Sequence, residues 1–354
     1  MTDRADALLS GPRGRRLCAE LLATPEGRSV PLWRWQSRAA PLAHPDERAR
    51  ARDDVRAALA TTDLTAVGSP GELVRALQAT VDTARYWQEP DVVDEVLADD
   101  EVAALLRPVA AAVVAAPASR WWATSLDPAD QQTVVWEPAD TLPRLTGSRP
   151  ALHRWREHTE EDERRAARER PTDPRAAWSG EWWSTPITAD LVVTTRTLPG
   201  LTTQAGQAAV RLVLAEDELG WQTAATWPVP VPDWARVLEI TGPQDWSDLV
   251  RRHPLWVTAS RRHDWWRVTG SDGPWLVPDW SAVVAEFDAV HLTVDGYLST
   301  AGRALPVELP GAPAYTVLSG WDPDAAWWVT DLFDLGEPTY WRRRDDDPPR
   351  WAPA

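Results

Sequence analysis

"GWQTAATWPVPVPDWARVLEITGPQDWSDLV", residues 220–250, changes its periodicity part-way. "GWQTAATWPV" and "ARVLEIT" are short β-prone runs bounded by Gly, Pro and Asp, and each predicts a strand. The pattern then switches. Thr241 with Gln244 fits a Thr-x-x-Gln capping box, Pro243 falls in the permissive first turn, and Trp246, Leu249 and Val250 form one helical face. Two strands followed by a helix predict an α+β organisation.

The same reading extends downstream. "SGEWWSTP" (179–186), "DLVVTTRTL" (190–198), "AVRLVLAED" (209–217) and "DAVHLTV" (288–294) predict further strands. "PDWSAVVAEFD" (278–288) predicts a short helix through Trp280, Val283, Val284 and Phe287.

Upstream the chain is mainly helical. Leu17, Leu21 and Leu22 recur at helical spacing with Cys18 beside them, and Leu73, Leu77, Val81 and Ala84 do the same. Pro108 kinks or divides "DEVAALLRPVAAAVVAA" (100–116). "QQTVVWEP" (131–138) reads as a strand closed by Pro138. "RPALHRWREHTEEDERRAARERP" (149–171) is charged on nearly every face, as a connecting helix would be. The expected layout is a helical region 1–148, a connecting helix 149–170, a Trp-rich α+β domain 171–340 and a loose mixed-charge tail 341–354.

The 354 residues carry a formal charge of −16, and every one of the 37 cationic side chains is arginine. No dense basic stripe is present, so nucleic acid is not an expected partner. A lone cysteine excludes an internal disulfide and a thiolate metal cluster. The N-terminus lacks the apolar stretch of a signal peptide, and the run 109–116 is too short to span a bilayer, so a cytoplasmic protein without a membrane partner is expected. Seven of the 24 tryptophans precede residue 171 and seventeen follow it. Spread through every segment, they read as core builders whose indole N–H groups need acceptors.

No Gly-x-Gly-x-x-Gly, Walker lysine, His-Glu-x-x-His or Gly-x-Ser-x-Gly motif occurs, and the sequence names no cofactor. The densest set of chemically able side chains is "RRHPLWVTASRRHDWWR", 251–267. Read as extended chain, it turns Thr258 and Ser260 to one side, while in "DAVHLTV" His291 and Thr293 share a face. Two such strands side by side would form a polar wall. Arg261, Arg262 and Arg303 would grip an anion there with Asp264 at the rim of the site, His263 or His291 would move protons, and Trp265 and Trp266 would stack on a planar ligand. No histidine spacing matches a metal motif. Asp322 and Asp324, around Pro323, read as a turn whose carboxylates accept from backbone amides.

The segments 251–267, "FDAVHLTVDGYLSTAGRALPV" and "LSGWDPDAAWWVTD" resemble an uncharacterised Trp-rich protein family of high-GC bacteria, a resemblance that implies no activity. "GEWWSTP", followed by "ARVLEIT" and the 288–294 strand, is similar in order to ADP-ribosyltransferase-like folds. That resemblance implies an NAD site with Ser184 and Thr185 as its Ser-Thr element. The chain departs from it by carrying His291 where a glutamate would stand. Two functions are therefore expected of different classes. One is a C-terminal pocket for an anionic, nucleotide-like small molecule. The other is an acidic module of the immunity or adaptor kind that covers a basic protein.

Overall fold

The computed structural model describes residues 3–22, 45–138, 147–187, 191–201, 207–217, 220–331, 335–344 and 350–354. The architecture is α+β, built on a mixed eight-stranded sheet. Helices α1 (Arg4–Ser10), α2 (Pro12–Glu20), α3 (Pro45–Thr61), α4 (Pro70–Asp82), α5 (Val92–Leu97), α6 (Asp100–Leu105) and α7 (Arg107–Ala115) come first. Their starts follow the local chemistry. Asp3, Ser69, Asp91 and Asp99 cap α1, α4, α5 and α6 by accepting from first-turn amides. Pro108 divides the 100–116 stretch by standing in the first turn of α7.

β1 (Gln132–Trp136) follows, then α8 (Ser148–Glu169), β2 (Val193–Thr195) and a small hairpin of β3 (Thr197–Pro199) and β4 (Gln207–Ala209). β5 (Thr223–Pro228), β6 (Val237–Ile240) and α9 (Pro243–Arg252) bear out the stretch that opened the sequence reading. The cap of α9 differs from the expected box. Gly242 is the N-cap, and Asp245 accepts from the Thr241 amide and hydroxyl at 2.8 and 2.6 Å.

β7 (Pro254–Trp256) pairs with β8 (Leu276–Pro278) across α10 (Thr258–Thr269), which ends at left-handed Gly270. α11 (Trp280–Val283), β9 (Ala289–Leu292), α12 (Val294–Thr300), the hairpin β10 (Leu305–Leu309) and β11 (Ala312–Thr316), β12 (Ala325–Trp328), β13 (Thr339–Arg344) and β14 (Arg350–Pro353) complete the chain.

The sheet order is β14-β13-β5-β1-β2-β12-β9-β6, antiparallel except for the pair β6 and β9. That parallel pair needs a long crossover, supplied by α9 to α11. All four residues of β9 are buried, as a strand covered on both faces requires.

The expected boundaries do not divide the core. β1 lies inside the sheet between β5 and β2, α1 and α2 pack on α12, and one apolar cluster runs from Ala5 to Trp351. The tail is likewise corrected: β13 and β14 pair, Trp341 and Trp351 are buried, and the Trp341 indole donates to Thr226 Oγ1 at 3.0 Å. Residues 345–349 of that tail lie outside the described residues. "SGEWWSTP" is irregular, not a strand, and 210–212 forms a 3-10 turn. Tryptophan builds the core as expected, though the buried indole N–H groups of Trp227, Trp246 and Trp275 have no hydrogen-bond partner among the described residues. Trp265 donates to Trp182 O, Trp280 to Ser184 O, Trp321 to Ala325 O and Trp328 to Thr194 Oγ1, all at 2.8–3.0 Å. No described helix is long and apolar enough to cross a membrane.

Candidate functional site

The residues singled out in the sequence do not meet in one hollow; they fall in three places. The first is α10. Its chain turns helical at Thr258, so the strand alternation assumed for Thr258 and Ser260 does not exist. Thr258 Oγ1 accepts from the Trp275 amide, and the Ser260 hydroxyl donates to Val257 O. Arg261 is buried and donates to Glu181 Oε2 at 2.7 Å; Arg262 donates to Thr172 O. His263 Nδ1 lies 3.2 Å from Pro174 O, and burial holds its pKa below the ordinary value. Asp264 accepts from Ser179 Oγ, the Gly180 amide and Arg267. Trp265 is core, and the Arg175 guanidinium stacks on Trp266. These groups fasten segment 172–182 to α10. Most of their polar atoms are tied to carboxylates and carbonyls, while Arg261 Nε and Nη1, Arg262 Nε and His263 Nε2 are buried without a hydrogen-bond partner among the described residues.

α8 belongs to the same tie. Glu163 accepts from the amides of Ala259 and Ser260 at 2.7 and 2.8 Å, capping α10 from outside, and Asp162 receives Arg170. The expected solvated connector is a scaffold for α10.

The second place is the sheet. His291 Nδ1 sits 2.6 Å from Glu239 Oε2, and Nε2 sits 3.6 Å from Asp324 Oδ1. Burial pushes the imidazole pKa down, but the two carboxylates outweigh it and lift it to about 9. The ring is an imidazolium at neutral pH and not a free base. Asp324 lies in the turn expected of it and accepts from the Arg196 amide at 3.1 Å, and also from Arg196 Nε at 2.7 Å and Thr195 Oγ1 at 3.0 Å.

The third place is α12. Thr293 is its N-cap, accepting from the Gly296 amide at 2.9 Å. Arg303 donates to Ser299 O and Ser10 Oγ. Ser184 and Thr185 donate their hydroxyls to Ser319 O and Gly320 O, on a stretch without strand pairing. Among the described residues no cluster of three metal-ligating side chains occurs.

Two of the clefts among the described residues carry aromatic and charged walls. One, of about 310 Å³, opens on the face of β1 and β2, lined by Val134, Trp136, Val192, Arg211, Trp221 and Leu335. Trp136 and Trp221 stack at 4.5 Å between centroids with planes 22° apart, and the Arg211 guanidinium lies 4.8 Å over the Trp136 ring. Arg211 Nε donates to Asp322 Oδ2 at 2.6 Å, which fixes the guanidinium plane.

The other cleft, of about 320 Å³, runs between α2, α5 and α10, with Arg13, Arg85, Tyr86, Glu89 and Val268 among its walls. Gly302 lines it at φ +75°, and a Cβ there would stand 2.9 Å from the Tyr86 ring.

A buried polar chain joins the two clefts. Asp322 Oδ1 accepts from the Glu216 amide at 2.7 Å, and Glu216 Oε1 accepts from the Tyr86 hydroxyl at 2.9 Å. Burial, reinforced by the charge of Asp322, pushes Glu216 up to about 8, so its carboxyl holds a proton at neutral pH.

No family model, curated protein or solved structure matches this chain. Sequence reading missed Arg211, Trp136 and Trp221. The one available signal was an arginine in an apolar run, "AVRLVLAED", preceding the tryptophan of "GWQTAATWPV".

Proposed function

We propose that the protein binds a small ligand made of a planar ring bearing an anionic group, in the cleft on β1 and β2. The expected chemistry is kept and its place moves from 251–303 to this cleft. The reading is supported by one observation above all: an arginine–indole–indole stack lines a hollow whose other walls are mainly apolar. The indoles extend the stack onto an incoming ring, and the guanidinium takes the anion. At about 310 Å³ the cleft lies at the small end of ligand pockets, which favours a one- or two-ring acid.

Aromatic acids and nucleotides share this chemistry, and three probes separate them: 2-naphthoate, AMP and uncharged 2-naphthylmethanol, each titrated calorimetrically. Saturable binding of an anionic probe, weakened tenfold or more in both Arg211→Gln and Trp221→Ala, supports the reading. Equal binding of the alcohol, or no binding of either anion, overturns it.

A second reading, an acidic cytoplasmic module for a basic protein, is supported by Trp234, which is 68% exposed beside Asp233 in a chain of charge −16. It predicts that Trp234→Ala weakens capture of a basic partner while Arg211→Gln does not.

A further inference from the structure

We propose that the cleft between α2, α5 and α10 is a second binding site, for a free zwitterion of the amino-acid type with an apolar side chain. The charges around the hollow divide into spent and unspent. Arg13 forms an ion pair with Asp94, and Asp91 pairs with Arg16, so these four neutralise one another. Arg85 and Glu89 remain. Among the described residues neither makes a hydrogen bond or an ion pair, with each other or with any other group, yet both line the same cleft.

Their fields are felt nearby. Glu95 is held above the ordinary carboxylate range by burial and by the charges of Glu89 and Asp91, and burial raises Asp217 against the pull of Arg85. A ligand carrying one carboxylate and one ammonium satisfies both unspent groups at once: a guanidinium fork for the first and a carboxylate for the second.

The rest of the lining fixes the third part of the ligand. Pro12, Pro90 and Val268 present apolar surface to the hollow, and the Tyr86 ring is held among them by its bond to Glu216. An apolar side chain gains by leaving water against those groups, roughly 25 cal/mol for each Å² it buries. The site shares no lining residue with the β1–β2 cleft, and its argument does not depend on that one.

The test is a thermal-shift screen of the twenty L-amino acids on the full chain, followed by calorimetry. L-phenylalanine is then compared with 3-phenylpropionate, which lacks the ammonium, and phenethylamine, which lacks the carboxylate. The expected result is saturable binding of apolar amino acids, at least tenfold tighter than either one-charge relative. Arg85→Gln and Glu89→Gln, both at exposed positions, should each weaken it at least tenfold, and Arg251→Gln, at an exposed position on α9 outside both clefts, should leave it unchanged. A flat screen overturns the proposal, as does equal binding of a one-charge relative or full binding by both cleft variants.

Discussion

His291 Nδ1 and Glu239 Oε2 lie 2.6 Å apart across the parallel pair β6 and β9, one of the closest charged contacts inside the sheet. The folded state raises His291 from 6.5 to about 9. The native state therefore keeps a proton that the unfolded chain releases, so this contribution is complete below pH 6.5 and lost as pH rises through about 9. Urea unfolding across that range should show stability falling, with the fall reduced in His291→Gln. In Asp324→Asn, NMR titration should place the His291 pKa below its wild-type position, because one of the two carboxylates that lift it is gone.

Glu216 has the same sign in a lower window. Its folded pKa is about 8 against an ordinary 4.5, so its stabilising contribution is complete below 4.5 and disappears as pH rises through about 8. Glu216→Gln keeps a neutral, hydrogen-bonding side chain, and its stability should be flatter than wild type between those limits. An unchanged pH profile by urea unfolding would contradict the protonated assignment.

Glu163 caps α10 although it belongs to α8. Glu163→Ala should cost about 1 kcal/mol, the usual worth of a helix cap. Glu161→Ala, on the exposed face of the same helix, should stay within about 0.5 kcal/mol. Denaturant midpoints of the two variants check the contrast.

Deleting residues 339–354 should remove two strands, strip the cover from β5 and leave an open edge. Exposed edges pair with other chains, so size-exclusion chromatography should show association where the full chain elutes as a single species.

Much of the fold could be read from local pattern, because β1, β5, β6 and β9 fall in short β-prone runs and α4 repeats its apolar residues at helical spacing. α10 could not. Arg261, His263 and Asp264 are buried on it, so its polar residues hide the helical stripe that burial would otherwise reveal. The tail failed for a related reason: charge and proline dominate its composition, while Trp341 and Trp351 decide its place.

The candidate sites were less legible still. Arg211 meets Trp136 across 75 residues and Asp322 across 111, and Asp324 meets Arg196 across 128. One sequence contains no record of such meetings. Charge type was visible; which charges the fold would cancel was not.

Strand order also governs how the chain matures. β1 is synthesised long before β2 and β5, its neighbours, and β12 must wedge between β2 and β9 after both have been made. A ribosome-bound chain halted after residue 292 would hold an unfilled slot in its central layer, with β-prone segments on both sides. Such a nascent chain would depend on chaperones until β12 emerges, and closure would be slow because its contacts are distant in sequence.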